Sequence, residues 1–396
     1  MIHQARPQHG REDAAPKPQE DPILPPEGTT PHDPLVAVDR AVAELRRGGY
    51  VILTEGRVAI MVQAAEAITP QSLDRVVALT GAEPRLALTP QRAAAIGLAV
   101  AGDEPVLLPL QEGFTAQEVR GIAEPGEPVS IRLPAPVVEK NAEVRAAFTA
   151  AVDLAKIARL LPAAVVAVLP SSIISTAVFA AENECLVVAA ADTNDYQGRA
   201  ARSLKAVSQA RVPLAGAEDT RIVAYRPSDG GIEHLAIIIG EPDADKPVLV
   251  RLHSECFTGD LLSSLRCDCG DQLRGAIEEI SRAGSGALIY LAQEGRGIGL
   301  VNKLRAYNLQ DNGLDTVDAN VQLGYDADER VYLPAAEILR DLGYQRVRLM
   351  TNNPEKVEAL TRCGIEVVER VAHVFPANTH NEFYLSTKKA RSGHIY

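Results

Sequence analysis

The stretch VLVRLHSECFTGDLLSSLRCDCGDQL, residues 248–273, decides the fold. It opens on an apolar run rich in β-branched residues, which reads as a buried strand. A polar loop with three cysteines follows, and a helix is expected over about 271–283. Strand, loop and helix in that order make the unit of an α/β protein, with polar clusters on its loops. The alternation continues outward. IVAYR, HLAIIIG, GALIYLA and RVRLM read as further strands, and helices are expected at about 299–310, 334–342 and 354–363. DLGYQRVRLMT places a glycine stop ahead of a strand. This second unit is expected to span 220–396.

Upstream, AVDRAVAELRRGG is an amphipathic helix closed by Gly48–Gly49, and YVILT follows as a strand. TPQSLDRVVALTG and TPQRAAAIGL each open on Thr-Pro, with Thr as the cap and Pro in the first turn. Residues 145–160 form another apolar-faced helix. Leu160 to Ala181 carries no charge, but Pro162, Pro170 and Ser171–Ser172 interrupt it. It reads as a buried strand, a turn and a buried helix rather than a membrane span. This first unit covers 34–205, and 206–219 reads as a linker. Residues 1–33 are rich in proline and charge and read as a disordered tail. The expected fold class is α/β, with mixed sheets of α+β type, in two domains plus that tail.

Composition agrees. The chain has 396 residues, more than one core usually needs. Hydrophobic content of 46% and charged content of 23% exclude a mostly disordered chain, a collagen and a coiled coil. A net charge of −12 argues against a general nucleic-acid binder and leaves room for a local basic pocket. Residues 1–30 hold charges and prolines where a signal peptide needs an apolar stretch, so a cytoplasmic location is expected. Five cysteines are too few for a disulfide scaffold.

Cys256, Cys267 and Cys269 have the spacing C-x10-C-x-C. Thiolates are soft ligands, and zinc is their commonest partner outside iron–sulfur clusters. Three protein ligands leave a fourth tetrahedral position for a water that loses its proton near neutral pH. A closed four-ligand knot would need His253 or Cys363 as the fourth ligand. Such knots pair two C-x2-C-like turns, and no second turn is present. A chance cluster of free thiols is the remaining alternative. Cys185 and Cys363 lie in apolar or helical settings and read as buried thiols.

Three polar loops share the second unit. QEGRGIGL, residues 293–300, sets Glu294, Arg296 and three glycines before a helix, which suits a phosphate. TNNPEK, residues 351–356, places Thr351 and Lys356 at a helix N-terminus, where an anion or an ordinary cap would sit. DADERVY, residues 326–332, offers Asp328 as a general base and Arg330 as a phosphate clamp, or simply a solvated charge run.

Taken together, RLHSEC, SSLRCDCG, QEGRGIGL, DTVDAN, DER and TNNPEK resemble GTP cyclohydrolase II over about residues 220–396. The resemblance implies one zinc per subunit on Cys256, Cys267 and Cys269. It also implies hydrolytic opening of the guanine ring with release of formate and pyrophosphate, magnesium accompanying the triphosphate. The implied nucleotide contacts are Arg251, Leu252, His253, Ser254, Glu255, Gln272, Glu294, Gly295, Arg296, Thr316, Thr351 and Lys356. The implied catalytic residues are Asp328 as proton acceptor, Arg330 and Tyr307. The family assigns Arg330 a nucleophilic role, but a guanidinium stays protonated, and a transition-state phosphate clamp is physically sounder. The resemblance further implies a homodimer.

The chain departs from the family in two places. Val331 stands where the family usually has Asp, and Pro334-Ala335-Ala336 replaces a common Gly-Ala-Gln. The first unit, about 36–205, resembles 3,4-dihydroxy-2-butanone 4-phosphate synthase without its chemistry. TEGRVAIMVQ leaves out that family's acidic loop, and Ala147-Phe148-Thr149 replaces its His-Thr-Glu. This unit is expected to be catalytically silent. A silent synthase-like domain ahead of a cyclohydrolase domain also resembles the branch that opens UTP in uracil catabolism, so GTP and UTP stand as near-equal substrates. Two non-enzymatic readings compete with these: a nucleotide sensor, and a structural zinc module that joins partners.

Overall fold

The computed structural model describes residues 33–100, 102–111, 113–126 and 131–373. The expected tail lies outside the described residues except for Asp33, as do residues 374–396 of the second domain. Asp33 caps the first helix, its carboxylate accepting from the Leu35 N–H at 3.0 Å.

The first domain is a six-stranded sheet of β1 (Val51–Glu55), β2 (Val58–Ala64), β3 (Arg85–Leu88), β4 (Val106–Pro109), β5 (Ala163–Val168) and β6 (Leu186–Ala189). The strand order is β4-β3-β5-β2-β1-β6, antiparallel except where β6 joins β1. Its helices are α1 (Pro34–Arg46), α2 (Pro70–Thr80), α3 (Pro90–Ala95), α4 (Ala116–Ala123), α5 (Ala142–Ile157), α6 (Thr176–Glu182) and α7 (Ala190–Arg202). Alternate strand residues serve opposite faces. Val51, Leu53, Ile60 and Val62 pack with α1 and α5, whereas Ile52 and Met61 pack with Val76 of α2 and Ala180 of α6. Both faces are therefore covered, which explains apolar runs that do not alternate. The Thr-Pro helix starts are as expected. Thr69 and Ser72 make a reciprocal capping box on α2, and Gly81 ends that helix at φ +61°. The uncharged segment after Leu160 folds into β5, a turn and α6. No helix of the described residues is long and apolar enough to cross a membrane.

The second domain is a seven-stranded sheet of β7 (Lys205–Arg211), β8 (Thr220–Arg226), β9 (His234–Ile239), β10 (Val248–Ser254), β11 (Gly286–Leu291), β12 (Arg346–Met350) and β13 (Glu366–Val371). The order is β13-β12-β10-β11-β9-β8-β7. The four strands β13, β12, β10 and β11 run parallel, and β9, β8 and β7 complete the sheet antiparallel. The helices are α8 (Cys269–Arg282), α9 (Gly299–Asp311), α10 (Thr316–Gln322), α11 (Leu333–Asp341) and α12 (Pro354–Arg362). Ala276 and Ile280 of α8 cover one face, and Ala335, Ile338 and Leu339 of α11 cover the other.

One expected boundary moves. Residues 206–211, expected in the linker, join Lys205, expected in the first unit, in edge strand β7. Every side chain of β7 is exposed, so hydropathy carries no trace of it, and backbone pairing to β8 alone recruits it.

The topology sets out a crevice at one end of the sheet. The chain leaves β10 through α8 to β11 on one side, and later reaches β12 on the other side. Loops at the carboxyl ends of β10, β11 and β12 thus part at a switch point, the usual ligand crevice of an open parallel sheet. The cysteines and QEGRG follow β10 and β11, and TNNPEK follows β12.

Beside that crevice, His234 of β9 accepts the Ala292 N–H on Nδ1 at 3.0 Å. Burial, with Arg159 adding, pushes its pKa down from 6.5 to about 4. The unfolded chain therefore binds this proton first as pH falls from 6.5 towards 4, and stability drops across that window. Thermal melts should show Tm falling from pH 7 to pH 4.5, with a shallower fall in His234→Asn. An equal fall in the variant would remove His234 from the account.

Candidate active site

Three elements bring the cysteines together. Cys256 follows β10, Cys267 closes the long loop, and Cys269 opens α8. Their three sulfurs lie within 4.8 Å of one another, and Cys256 and Cys267 are 3.7 Å apart. Gly259 makes this possible: a Cβ there would stand 2.8 Å from the Cys267 sulfur and 3.0 Å from the Cys256 sulfur. Hydrogen bonds from Cys267 and Cys269 hold Cys256 far below an ordinary thiol, and Lys303 adds to the effect. Bonding to that charge raises Cys267 to about 11 and lifts Cys269 as well. Three convergent soft donors suit a thiophilic cation such as zinc.

The closed-knot alternative finds no fourth ligand. Among the described residues, no other His, Cys, Asp or Glu atom joins the group. His253 is engaged elsewhere. Its Nε2 faces the Asp260 carboxylate at 3.1 Å and its ring stacks on Tyr290 at 5.5 Å. Asp260 also accepts from the Cys256 N–H at 3.0 Å and from the Tyr290 hydroxyl at 2.9 Å, fixing the loop at its first cysteine. Cys363 packs against the core around α11.

Glu294 ties the loops to one another. It is buried at 4% exposure and opens a short, kinked 3-10 turn, Glu294–Gly297. Its carboxylate accepts from the Phe257 N–H at 2.6 Å, the Gly295 N–H at 2.9 Å and Lys303 Nζ at 2.8 Å. Lys303 also donates to the Cys256 sulfur at 3.1 Å and to Thr258 Oγ1 at 3.0 Å. Burial opposes the Lys303 charge, but Glu294 and Cys256 outweigh it and hold the ammonium protonated. Sequence reading missed Lys303. It lies one turn past the glycine-rich loop on an unremarkable helix, and only the fold aims it at Cys256. Arg266 was missed too; its guanidinium stacks 4.4 Å over the Tyr307 ring. The glycine-rich loop turns through left-handed backbone at Gly295 (φ 65°), Arg296 (φ 62°) and Gly297 (φ 98°). For Arg296 that conformation is uncommon and marks a constrained loop.

The crevice is a cleft open to solvent at its mouth, the shape of a ligand site. Its walls hold the three cysteines, Arg251, His253, Ser254, Glu255, Gln272, Glu294, Gly295, Arg296, Tyr307, Thr316, Arg330, Thr351 and Lys356. Arg251 is buried, which pushes its pKa down to about 10. Its Nη1 donates to the Met350 carbonyl at 3.0 Å, while its Nε and the Ser254 hydroxyl are buried with no partner. Buried polar atoms in a cleft wall without partners fit a site that a polar ligand completes. Lys356 Nζ reaches the Leu252 carbonyl at 3.1 Å.

Two expected site residues are placed differently. The Leu252 side chain belongs to the core, and only its carbonyl serves the site, by holding Lys356. Asp328 does not line the crevice. Both of its oxygens are taken by Arg330, with Nε at 2.8 and 3.0 Å. Burial opposes its charge, but Arg330 holds the carboxyl below the usual range. A carboxylate so engaged is a poor general base. The two departures from the family pattern also lie off the crevice. Val331 and Pro334 line a second cavity between the domains, and Ala335 and Ala336 are core.

Gly259→Ala should lower zinc affinity by about 10- to 100-fold, because it displaces the sulfurs it supports. Competition with a chromogenic chelator checks this, and unchanged affinity would contradict the packing.

Residues 205–372 match the family model described as GTP cyclohydrolase II. A protein named GTP cyclohydrolase-2 from Azospirillum brasilense is 57% identical over 376 residues, 94% of this chain and 97% of its own. GTP cyclohydrolase-2 from Yersinia pseudotuberculosis is 53% identical over 48% of this chain and 97% of its own. A solved two-domain 3,4-dihydroxy-2-butanone 4-phosphate synthase from A. baumannii aligns over 85% of this chain and 99% of its own, at 20% identity and a TM-score of 0.36. The site residues and the near full-length match to the Azospirillum protein agree: the chain belongs to the GTP cyclohydrolase II family.

Proposed function

We propose that this protein is a zinc-dependent GTP cyclohydrolase II of riboflavin biosynthesis. It would open the guanine imidazole ring by hydrolysis and release formate and pyrophosphate, leaving a diaminopyrimidine ribosyl phosphate. The observation that carries this reading is the meeting, in one crevice, of three convergent cysteine sulfurs and a buried arginine with an unpartnered Nε.

Cys256, Cys267 and Cys269 would hold the zinc. When bound, that ion lowers the pKa of a coordinated water and polarises the bond under attack. The protein's own groups do the rest. Lys303 offsets the negative charge of Cys256 and keeps Glu294 paired. The Tyr307 hydroxyl stands 3.4 Å from Thr258 Oγ1 at the cysteine end of the crevice, placed to orient the base. Arg296 and Arg330 enter from the glycine-rich and 326–332 loops and suit the triphosphate with its magnesium. Asp328 acts by aiming Arg330 rather than by taking the proton. Arg251, Thr351 and Lys356 form the opposite wall.

GTP is favoured over UTP for two reasons. The relative that shares almost the whole layout is named for GTP, so a synthase-like first domain gives no pointer to uracil. The residues that depart from the family pattern do not line the crevice, so they are poorly placed to select a base. The first domain is read as catalytically silent. β1 and β2 are joined by a turn of Gly56 and Arg57, which leaves no acidic loop, and Ala147 and Phe148 are buried in the core. A cytoplasmic homodimer completes the reading.

With zinc-loaded protein, magnesium and GTP or UTP in separate reactions, pyrophosphate and a changed base spectrum should appear with GTP alone. Loss of uracil absorbance with UTP would overturn the substrate assignment, and turnover of neither would overturn the cyclohydrolase reading. Cys256→Ser should abolish turnover while circular dichroism stays native; an unfolded variant would favour a structural zinc module. Formation of 3,4-dihydroxy-2-butanone 4-phosphate should stay at background, and its appearance would refute the silence of the first domain.

A further inference from the structure

The two walls of the crevice rest on different foundations. The cysteine loop, α8 and α12 stand on the seven-stranded sheet. The facing wall, residues 294–330, carries Glu294, Arg296, Lys303, Tyr307, Thr316 and Arg330. Its apolar residues form a separate cluster of Ile298, Ala306, Leu309, Ala319, Leu323 and Tyr325. The residue that completes this cluster is Leu161 of the first domain, fully buried within it.

Polar contacts repeat the pattern. The Tyr325 hydroxyl donates to the Leu160 carbonyl. Thr89 Oγ1 donates to the Gly324 carbonyl at 2.7 Å, and Arg92 Nη1 donates to the Gln322 carbonyl at 3.1 Å. Lys156 pairs with Glu329 at 2.9 Å, and Arg305 reaches back to Glu66 at 3.3 Å. Arg159 joins the domains most closely. It is a non-glycine residue at φ 57°. Its Nη2 donates to the Ala292 carbonyl at 2.8 Å, and its own carbonyl accepts from Asn302 Nδ2 at 3.0 Å. Its stem lies against Gly299, where an added Cβ would be 3.0 Å from Arg159 Cδ. Arg159 therefore holds the chain both before and after the glycine-rich loop.

We propose that the first domain is a working part of the cyclohydrolase site: its 159–161 turn fixes the wall that bears Glu294, Lys303 and Tyr307, with Arg159 as a positioning residue. The inference rests on the cyclohydrolase reading for its kinetic consequence, and on packing alone for its structural one. Leu161 covers the apolar cluster of this wall. Loss of the synthase chemistry then leaves the first domain with a retained structural task.

The test uses the full chain and the variants Leu161→Ala, Arg159→Ala and Arg159→Lys. Hydrogen exchange should quicken across 294–330 in both alanine variants and stay unchanged in β10 and β12. Zinc content should stay at the wild-type level, because the cysteines stand on the other wall. Turnover of GTP should fall by about a hundredfold through misplacement of the wall, with KM raised, and Arg159→Lys should recover part of it. If Leu161→Ala fails to fold, the Arg159 pair carries the test. Wild-type exchange and wild-type kinetics in Arg159→Ala would overturn the proposal. A wild-type chain that leaves GTP intact would refute the cyclohydrolase reading alone, since exchange still reports on the wall.

Discussion

The buried ion pair of Glu294 and Lys303 is the interaction on which the site depends. Two opposite charges out of water are stable only when their remaining hydrogen-bonding capacity is met. Here the spare atoms are spent on two loops. Glu294 reaches the backbone at Phe257 and Gly295, and Lys303 reaches Cys256 and Thr258. One pair thereby registers the cysteine loop, the glycine-rich loop and α9 together. Removing Lys303 would leave the Glu294 carboxylate buried without a cation, at a cost of about 3–5 kcal/mol.

From that pair the chemistry extends in two directions. Toward the sheet it reaches the cysteines, where Gly259 permits three sulfurs to converge. Away from the sheet it reaches α9 and α10, whose apolar cluster is completed by Leu161 of the first domain. In this chain the crevice at the switch point of the parallel strands is thus bounded on one side by a wall that packs on the first domain.

Much of this was legible in the sequence, for physical reasons. The strands β10 and β11 carry buried apolar runs, and the Thr-Pro starts of α2 and α3 carry their caps in the local sequence. The cysteine spacing was legible because ligand chemistry restricts residue type. What escaped lacked a local signature. β7 buries no side chain, so no periodicity marks it. Lys303 gains its meaning from Cys256, 47 residues away in the chain. The engagement of Asp328 by Arg330 depends on loop geometry, and the placement of Val331 at the second cavity is a tertiary fact. Leu161 and Arg159 looked like the end of one domain and are joints to the next.

The most direct test of the account is a zinc titration of metal-free full-length protein with GTP and magnesium, following formate and pyrophosphate together. The account predicts that both products appear in equal amounts and that the rate saturates at one zinc per chain. Pyrophosphate without formate, or turnover that ignores zinc, would contradict it.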